Sequence, residues 1–381
     1  MRIGIEASNM LATHLTGIEY SLTELVRRFT RVDAEGSYRL YFNFLRGTYA
    51  RRFDERVRPL LDARLRACIN RIPNAAMNWL HRGGWPIEAT LGRNDLVYYH
   101  CFNLRPQWRG RKVLTVHDLM PITHPALYTP TDVAHFREHV PRMARAVDAV
   151  VTVSEHTRQQ VIDRLGLPAD RVFVAHPGVD ERFAPQPPDV VAEVLQRLGI
   201  GPRPYLLFVG TAEPRKNLPG LLRAYATLRP AERADLQVVV AGKSAWGSAP
   251  LRAQIAALGL QADVRLLGYV AEADIPPLYS GARLAALPSL AEGFGSPLIE
   301  AMACGTPMLA ANATALPEVY GDAALGVDPQ DVDALADGLR RLLYDESLRA
   351  GLVARGLQRA RRFSWDRTAQ ATVDVFRRVA G

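Results

Sequence analysis

The feature that most constrains the fold is an alternation of short apolar runs with segments of helical period, which begins at the first residues of the 381-residue chain. Strands that alternate with helices in this way form a parallel sheet covered by helices on both faces. We therefore predict an α/β domain in the first half of the chain. Its predicted strands are Arg2–Glu6, Tyr38–Phe44, Leu96–Tyr99, Val113–His117 and Ala149–Val153.

The same alternation restarts after a proline-rich segment, AHPGVDERFAPQPPD (175–189), which we interpret as a linker. We expect one domain over 1–180, a second over 186–363, and a C-terminal helix over 364–381 that packs back on the first domain. The strands predicted for the second domain are Tyr205–Val209, Val238–Ala241, Val264–Leu267, Leu284–Leu287 and Met308–Ala310. Three helical segments follow them: Asp331–Tyr344, Glu346–Arg362 and Trp365–Val379.

Two doubly wound domains predict a ligand site in the cleft between them, because ligands of such sheets bind outside the carboxyl ends of the strands. The dinucleotide motif GxGxxG is missing after the first strand, where the chain reads GIEASNM, and GxxxxGK[ST] does not occur. A hydride-transfer enzyme and a phosphate-loop ATPase are therefore disfavoured.

Compartment and membrane topology follow from the apolar and cysteine patterns. No apolar run approaches the roughly 18 residues of a membrane span, and the opening MRIGIEASN is typical of a buried strand rather than a signal peptide. We expect a cytoplasmic protein whose membrane contact, if any, is peripheral on the inner face of the cytoplasmic membrane. Cys68, Cys101 and Cys304 are far apart, which indicates neither a disulfide framework nor a zinc site.

Positive charge is concentrated in the first half of the chain. Residues 1–185 hold 26 Lys and Arg against 19 Asp and Glu, and residues 27–82 alone hold 13 Arg against five acids. Such a surface attracts nucleic acid, an anionic membrane leaflet or a diphosphate-lipid acceptor alike, since the Coulomb attraction does not identify the carrier of the phosphate. An ordinary arginine-rich solvated face is the alternative.

The segment PSLAEGFGSPLIEAMACGTPML (288–309) combines two carboxylates with the start of a helix. Ser296 suits the N-cap, Pro297 the first helical position and Gly305 the end of the helix. Backbone N–H groups at such a terminus bind anions, so a diphosphate fits there. Glu292 before the terminus and Glu300 inside it suit hydroxyl groups of the same ligand.

Adjacent cations, Arg215 and Lys216, follow a second buried strand in LLFVGTAEPRKNLPGLLRAY (206–225). Arginine grips phosphate oxygens in bidentate fashion and lysine adds a mobile point charge, so the pair suits the charge of a leaving diphosphate. In the first domain, VLTVHDLMPITHP ends a predicted strand at His117 and Asp118.

These segments resemble the motifs EGFGxPxxEAMACGxPV, GxxEPRKN and HD of retaining family 4 glycosyltransferases, which have the GT-B fold of two Rossmann-like domains facing across a deep cleft. The resemblance implies that Glu292 contacts the donor sugar, Glu300 the ribose, and Arg215 and Lys216 the diphosphate. It also implies that His117 contacts the donor sugar, with Asp118 orienting it or contacting the acceptor. Gly17 is another implied donor contact, in a loop that has Thr16 where many relatives have glycine. The remaining implied donor contacts are Gly210, Gly242, Lys243, Tyr269, Val270, Gly293, Phe294, Gly295, Ser296, Leu298 and Ile299.

The segments HDLMPITHP and AHPGVD are similar to those of bacterial mannosyl- and rhamnosyltransferases of O-antigen or exopolysaccharide synthesis. This implies a retaining, same-face transfer from a GDP-sugar to a lipid-linked or oligosaccharide acceptor, with no metal, no further cofactor and no nucleic-acid partner. Donors of the dTDP-rhamnose or UDP-hexose type remain alternatives. So do an epimerase or phosphorylase of the same fold, a basic nucleic-acid-binding protein, and a non-catalytic sugar-nucleotide-binding scaffold, for which Glu292→Ala leaves the biological activity intact.

Overall fold

A computed structural model describes residues 1–13, 17–242 and 248–381 of the chain. These residues form two compact units. The first comprises Met1–Gly178 together with Trp365–Gly381, and the second comprises Val179–Ser364. None of the helices in the described ranges is long and apolar enough to cross a membrane.

The first unit is built on a parallel sheet of seven strands in the order β3-β2-β1-β4-β5-β6-β7. The strands are β1 Arg2–Glu6, β2 Ser37–Asn43, β3 Leu65–Asn70, β4 Leu96–Tyr99, β5 Arg111–Val116, β6 Ala149–Thr152 and β7 Val172–Val174. Its helices are α1 Gly17–Val32, α2 Thr48–Arg56, α3 Asn74–Arg82, α4 Glu88–Leu91, α5 Met120–Thr123, α6 Pro130–Arg145, α7 Glu155–Leu165 and, from the end of the chain, α17 Trp365–Ala380.

Strand β1 marks the point where the strand order reverses in the first sheet, because the chain runs outward through β2 and β3 and then returns to place β4 on the other side. Parallel strands end at one edge, so the residues after β1, β4 and β5 meet there. Ligands of open α/β sheets bind at such switch points. The edge carries Glu6 at the end of β1, His100 after β4 and His117 after β5.

Helix α17 completes the core of the first unit. Phe376 is fully buried, and its ring centroid lies 5.7 Å from that of Phe29 in α1 and 5.1 Å from that of Tyr98 in β4. Arg377 pairs with Asp33 at 2.9 Å. The last helix of the chain therefore belongs to the hydrophobic core that β1 and α1 begin.

The second unit has a parallel sheet of six strands in the order β10-β9-β8-β11-β12-β13, with its switch point between β8 and β11. The strands are β8 Tyr205–Val209, β9 Gln237–Ala241, β10 Val264–Gly268, β11 Leu284–Leu287, β12 Met308–Ala311 and β13 Leu325–Val327. The helices are α8 Pro188–Arg197, α9 Leu218–Ala226, α10 Pro230–Ala234, α11 Ser248–Ala257, α12 Ile275–Ser280, α13 Ser296–Ala303, α14 Leu316–Tyr320, α15 Val332–Tyr344 and α16 Glu346–Ala360.

The predicted α/β class and the two parallel sheets are confirmed, and all ten predicted strands occur within a few residues of the predicted bounds. Three strands, β3, β7 and β13, were not predicted. Strand β3 (LRACIN) carries an exposed arginine and a terminal asparagine, and the other two have three residues each, so none has the apolar run that marks a buried strand.

Candidate active site

Three of the predicted site residues meet at the switch point of the second sheet. The carboxylate of Glu292 accepts hydrogen bonds from Lys216 Nζ at 2.5 Å, Arg215 Nη1 at 2.8 Å and Ser289 Oγ at 2.8 Å. Lys216 and Glu292 are both buried. The two sequence motifs, 76 residues apart, thus form one ion cluster at the carboxyl ends of β8 and β11.

Backbone contacts hold the two loops of this cluster together. The Leu290 N–H donates to the Arg215 carbonyl at 2.7 Å, and the Glu292 N–H donates to Thr314 Oγ1 at 2.9 Å. Asn217, in the left-handed conformation with φ 53°, donates from Nδ2 to the Pro329 carbonyl at 2.7 Å. The loops that carry the charged side chains are therefore held against each other at the carboxyl ends of β8 and β11.

Burial by itself raises the pKa of Glu292, but the charges of Lys216 and Arg215 and the hydrogen bonds from Lys216 and Ser289 outweigh it. The net pKa lies below the usual value of a glutamate. The group is consequently a carboxylate at neutral pH, with its negative charge shared between two cations. Arg215 also pairs with Glu213 at 2.6 Å.

Helix α13 begins one residue earlier than the sequence suggests. Gly295 is the N-cap, in the left-handed conformation with φ 96°, and a Cβ there would lie 2.4 Å from Leu316 Cδ2. Ser296 is the first helical residue, so our assignment of Ser296 as the cap is wrong. The Leu298 N–H donates to the Gly295 carbonyl at 2.9 Å, so this amide is already hydrogen-bonded within the turn.

The side chains around this helix start belong to the core. Leu298 and Ile299 are fully buried, and Phe294 packs edge-to-face on Phe363 with ring centroids 5.6 Å apart. Gly293, Phe294 and Ile299 can therefore act as the predicted donor contacts only through their backbone groups. These assignments stay predictions.

Glu300, one turn into α13, lies beside Tyr279, whose Oη is 3.5 Å from Glu300 Oε2. Burial raises the pKa of Glu300 to about 7, against the lowering effect of Arg182 and Lys216. Tyr279 is itself buried, and burial raises its pKa well above the usual value, so it stays a hydroxyl donor. Glu300 thus changes charge near neutral pH.

Glycines lie at the carboxyl ends of three neighbouring strands of the second sheet. Gly242 donates its N–H to the Gly268 carbonyl at 2.7 Å, and a Cβ on Gly242 would lie 2.1 Å from the Gly210 carbonyl oxygen. The predicted base-binding edge is thus a close packing of backbone after β8, β9 and β10. Next to Gly268, the side chain of Tyr269 is 66% exposed, whereas Val270 is buried. Lys243, like Thr16, lies outside the described residues.

His117 lies at the switch-point edge of the first sheet. Its Nε2 is 2.8 Å from the His100 carbonyl, which can only accept, so Nε2 carries the proton and Nδ1 keeps its lone pair. Burial lowers the pKa of His117 to about 4, against the opposing effects of the His100 carbonyl and Glu19. His117 is therefore neutral at pH 7 and offers an acceptor nitrogen.

Asp118 follows His117 directly and contacts the backbone at the start of α5. Its Oδ1 accepts the Met120 N–H at 3.0 Å and so fixes the start of α5, while His117 Nε2 is held by the backbone. The His100 carbonyl thus orients the His117 ring, and the orienting or acceptor-contacting role expected for Asp118 stays a prediction. Gly17 begins α1 and is exposed, and no described residue lies within 4 Å of the position that a Cβ would take there.

Several residues of these two edges were not singled out in the sequence. Ser289 and Thr314 support Glu292, and the buried His100 contacts Ser21 Oγ through Nε2 at 2.6 Å and Tyr98 Oη through Nδ1 at 2.7 Å. A histidine directly after a predicted strand was a usable signal for His100. Ser289 and Thr314 have no such signal, because their role depends on side-chain geometry across different loops.

Comparisons with known proteins identify the family of the chain. Residues 16–183 match the model described as Glycosyltransferase Family 4, and residues 192–359 match Glycosyl transferases group 1. The chain is 34% identical over 283 residues to O-antigen chain mannosyltransferase B of Escherichia coli, which covers 74% of both proteins. The chain belongs to the family 4 glycosyltransferases.

Members of this family transfer with retention of configuration, and the chain is accordingly a hexosyltransferase of the GT-B fold. It is also 36% identical over 310 residues to D-inositol 3-phosphate glycosyltransferase of Salinispora tropica, covering 75% of this chain and 64% of that protein. The fold matches the crystal structure of Anabaena Alr3699/HepE in complex with UDP and glucose, with a TM-score of 0.75, 20% identity, and coverage of 99% of this chain and 100% of that one.

Proposed function

We propose that this glycosyltransferase moves mannose from GDP-mannose to a glycan acceptor, lipid-linked or free, in the synthesis of a bacterial surface polysaccharide such as O-antigen. The ion cluster of Arg215, Lys216 and Glu292 at the second switch point is the observation that carries the proposal, since it combines diphosphate-binding cations with a sugar-binding carboxylate. The similarity to an O-antigen mannosyltransferase supports mannose and this pathway.

In this proposal the second unit holds the sugar nucleotide. Arg215 and Lys216 contact the diphosphate together with backbone N–H groups at the start of α13, and Glu292 turns to hydroxyls of the sugar. Glu300 accepts from the ribose hydroxyls. The exposed ring of Tyr269 offers a face on which the base can stack.

His117 of the first unit contributes a contact to the donor sugar. Because it is neutral and protonated on Nε2, its Nδ1 accepts a hydrogen bond from a sugar hydroxyl and does not supply a proton. No described residue crowds the Cα of Gly17, which suits a donor phosphate beside the start of α1.

The transfer follows a same-face course. The bond between the anomeric carbon and the diphosphate oxygen breaks, the acceptor oxygen bonds to the same face of that carbon, and the acceptor proton passes to the departing diphosphate. Arg215 and Lys216 stabilise the charge that develops on the leaving group, as preorganised cations do. The scheme assigns no step to a metal ion, so we expect transfer to continue in excess EDTA.

A panel of nucleotides tests the donor assignment. A ligand that binds only the folded state raises its stability in proportion to the logarithm of ligand concentration over Kd, so GDP and GDP-mannose should raise Tm more than UDP, dTDP or ADP and their sugars. A larger shift with UDP or dTDP would move the donor to a UDP-hexose or dTDP-rhamnose. No shift at millimolar ligand would favour the non-catalytic scaffold.

Peripheral contact with an anionic membrane is a second part of the proposal. Not every arginine of the basic region 27–82 is available to bind lipid headgroups. Arg52 Nη1 donates to the Leu11 carbonyl at 3.0 Å and Arg56 Nη1 to the Ala12 carbonyl at 2.8 Å, so these arginines stabilise the first unit. Helix α3 is a better candidate, because Trp79 is 74% exposed and Arg82 is exposed beside it.

Aromatic and basic side chains on one short helix suit the interface of an anionic leaflet. We expect the double variant Trp79→Ala with Arg82→Glu to lower co-sedimentation with vesicles of phosphatidylglycerol and phosphatidylethanolamine. Arg142→Glu, an exposed arginine of α6, is the charge-matched control. Equal co-sedimentation of parent and double variant would refute membrane contact through α3.

A further inference from the structure

A second polar cluster lies at the switch point of the first sheet, formed by Glu6, Asn103 and Arg105. Glu6 is the last residue of β1 and is 1% exposed. Asn103 Nδ2 donates to Glu6 Oε2, and Arg105 Nη2 lies 3.8 Å from Glu6 Oε1. The mechanism above uses none of these side chains.

Each member of the cluster keeps a buried polar atom without a hydrogen-bond partner among the described residues: Glu6 Oε1, Asn103 Oδ1 and Arg105 Nε. Buried polar groups in native proteins are almost always hydrogen-bonded, and exceptions mark places where water or a ligand binds. Three such atoms on contacting residues, at an edge where ligands of this fold bind, indicate a ligand site.

The chemistry of the three atoms favours a hydroxyl group as ligand. A carboxyl oxygen and an amide oxygen accept hydrogen bonds while the guanidinium Nε–H donates one. Each hydroxyl group donates one hydrogen bond and also accepts, so two neighbouring sugar hydroxyls pair all three atoms. A phosphate would face the Glu6 carboxyl group, and an apolar ligand would leave all three atoms unpaired. Burial raises the pKa of Glu6, against the lowering effect of Ser8, Arg105 and Asn103, so its carboxyl group gains from a further donor.

The loop that carries Asn103 and Arg105 is firmly placed. Tyr99 Oη donates to Gln107 Oε1 at 3.1 Å, and Cys101 Sγ accepts from Asn9 Nδ2 at 2.9 Å, which ties the loop to the segment after β1. The loop begins at His100, the residue whose carbonyl holds His117. The cluster therefore lies along the same sheet edge as the proposed contact to the donor sugar.

We propose that Glu6, Asn103 and Arg105 bind hydroxyl groups of the acceptor sugar and so help to select the acceptor. This inference rests on the proposed function, because it takes the hydroxyl-bearing ligand to be the acceptor. Glu6 and Asn103 hold the acceptor and leave the binding of the nucleotide to the second unit.

The test measures transfer from GDP-mannose to octyl α-D-mannopyranoside, used as the acceptor probe, by Glu6→Gln and Asn103→Ala. We expect the acceptor KM to rise at least about tenfold, equivalent to about 1.4 kcal/mol. The Kd of GDP and the slow hydrolysis of GDP-mannose without acceptor should stay within about twofold of the parent. Glu24→Gln is the matched control, because Glu24 is an equally buried glutamate of the same unit, paired with Arg27 and Arg28.

An acceptor KM within about twofold of the parent in both variants would overturn the inference and leave the cluster as a site of buried water. Asn103→Ala decides the matter if Glu6→Gln does not fold. If the parent binds no GDP or transfers nothing to the probe, saturation-transfer NMR with octyl α-D-mannopyranoside alone separates the two proposals. A signal in the parent that the variants lose supports the acceptor site even then, and an absent or unchanged signal overturns it.

Discussion

Replacing Glu292 by glutamine tests how the ion cluster divides its charges between protein and substrate. The amide has the same size as the carboxylate, but it offers one acceptor oxygen in place of two and adds an N–H₂ group that faces cations. Since Arg215 and Lys216 each donate to a different oxygen of Glu292, at least one of the two charged hydrogen bonds is lost. Both cations then become more available to a diphosphate.

The magnitudes follow from the contacts. A hydrogen bond to a charged group contributes about 1.5–3 kcal/mol, equivalent to about 10- to 150-fold in an equilibrium or rate constant. We expect kcat/KM for transfer from GDP-mannose to fall by about 10- to 150-fold or more, because a contact to the sugar is lost. The Kd of GDP should be unchanged or up to about tenfold lower, because the carboxylate no longer competes for Arg215 and Lys216.

The unliganded variant should also be less stable, by about 3–5 kcal/mol, since breaking a buried ion pair leaves a charge without its partner. Titration calorimetry gives the Kd of GDP, urea unfolding gives the stability, and initial rates give kcat/KM. Glu232→Gln is the control, because Glu232 is also buried and paired with two arginines, Arg229 at 2.9 Å and Arg340 at 3.4 Å. It should lose stability while keeping GDP binding and transfer.

Two results would refute the reasoning. A folded Glu292→Gln protein that binds GDP more than about tenfold more weakly than the parent would show that the cations need the carboxylate to hold the diphosphate. Turnover within about threefold of the parent would remove Glu292 from the contacts to the sugar.

Three further predictions concern titration and packing. Because the pKa of Glu300 is about 7 and ribose hydroxyls donate to its ionised form, GDP affinity measured by calorimetry should rise about tenfold from pH 6 to pH 8. A flat profile in the parent, or the same rise in Glu300→Gln, would contradict this role. His117 stays neutral in the folded protein down to about pH 4 but is protonated below about pH 6.5 in the unfolded protein, so the free energy of unfolding falls as the pH falls through this window. Between pH 7 and pH 5, the free energy of unfolding measured in urea should fall by about 2 kcal/mol less in His117→Asn than in the parent. Phe376→Ala should destabilise the first unit by about 3–5 kcal/mol, with faster hydrogen exchange in β1 and β4 and little change in the second unit. An equal increase of the exchange rates in both units would contradict the placement of α17.

The sequence was sufficient for the placement of the charged residues on the fold. Arg215, Lys216 and Glu292 follow strands that are apolar enough to be recognised, and the rule that parallel strands end at a common edge brings the three together. Their pairing with one another was not predictable, because it depends on how Ser289 and Thr314 orient the two loops.

Details of turn geometry account for what the sequence could not show. A serine before a proline is a common helix start, but the glycine before Ser296 adopts a left-handed conformation and becomes the cap instead. The cluster at Glu6 was missed for a similar reason. A glutamate at the end of a strand gives no signal of burial, and its partners Asn103 and Arg105 lie about one hundred residues away in the chain.

The place of α17 has a consequence for biosynthesis. The chain is synthesised from its N-terminus, so the whole of Val179–Ser364 is made before α17, the helix that covers Phe29 and Tyr98. The first unit is synthesised first but acquires its last core element after the second unit is complete, because domains fold as their residues become available. Until then its apolar face is open, and a nascent chain stalled before Trp365 presents that face to chaperones.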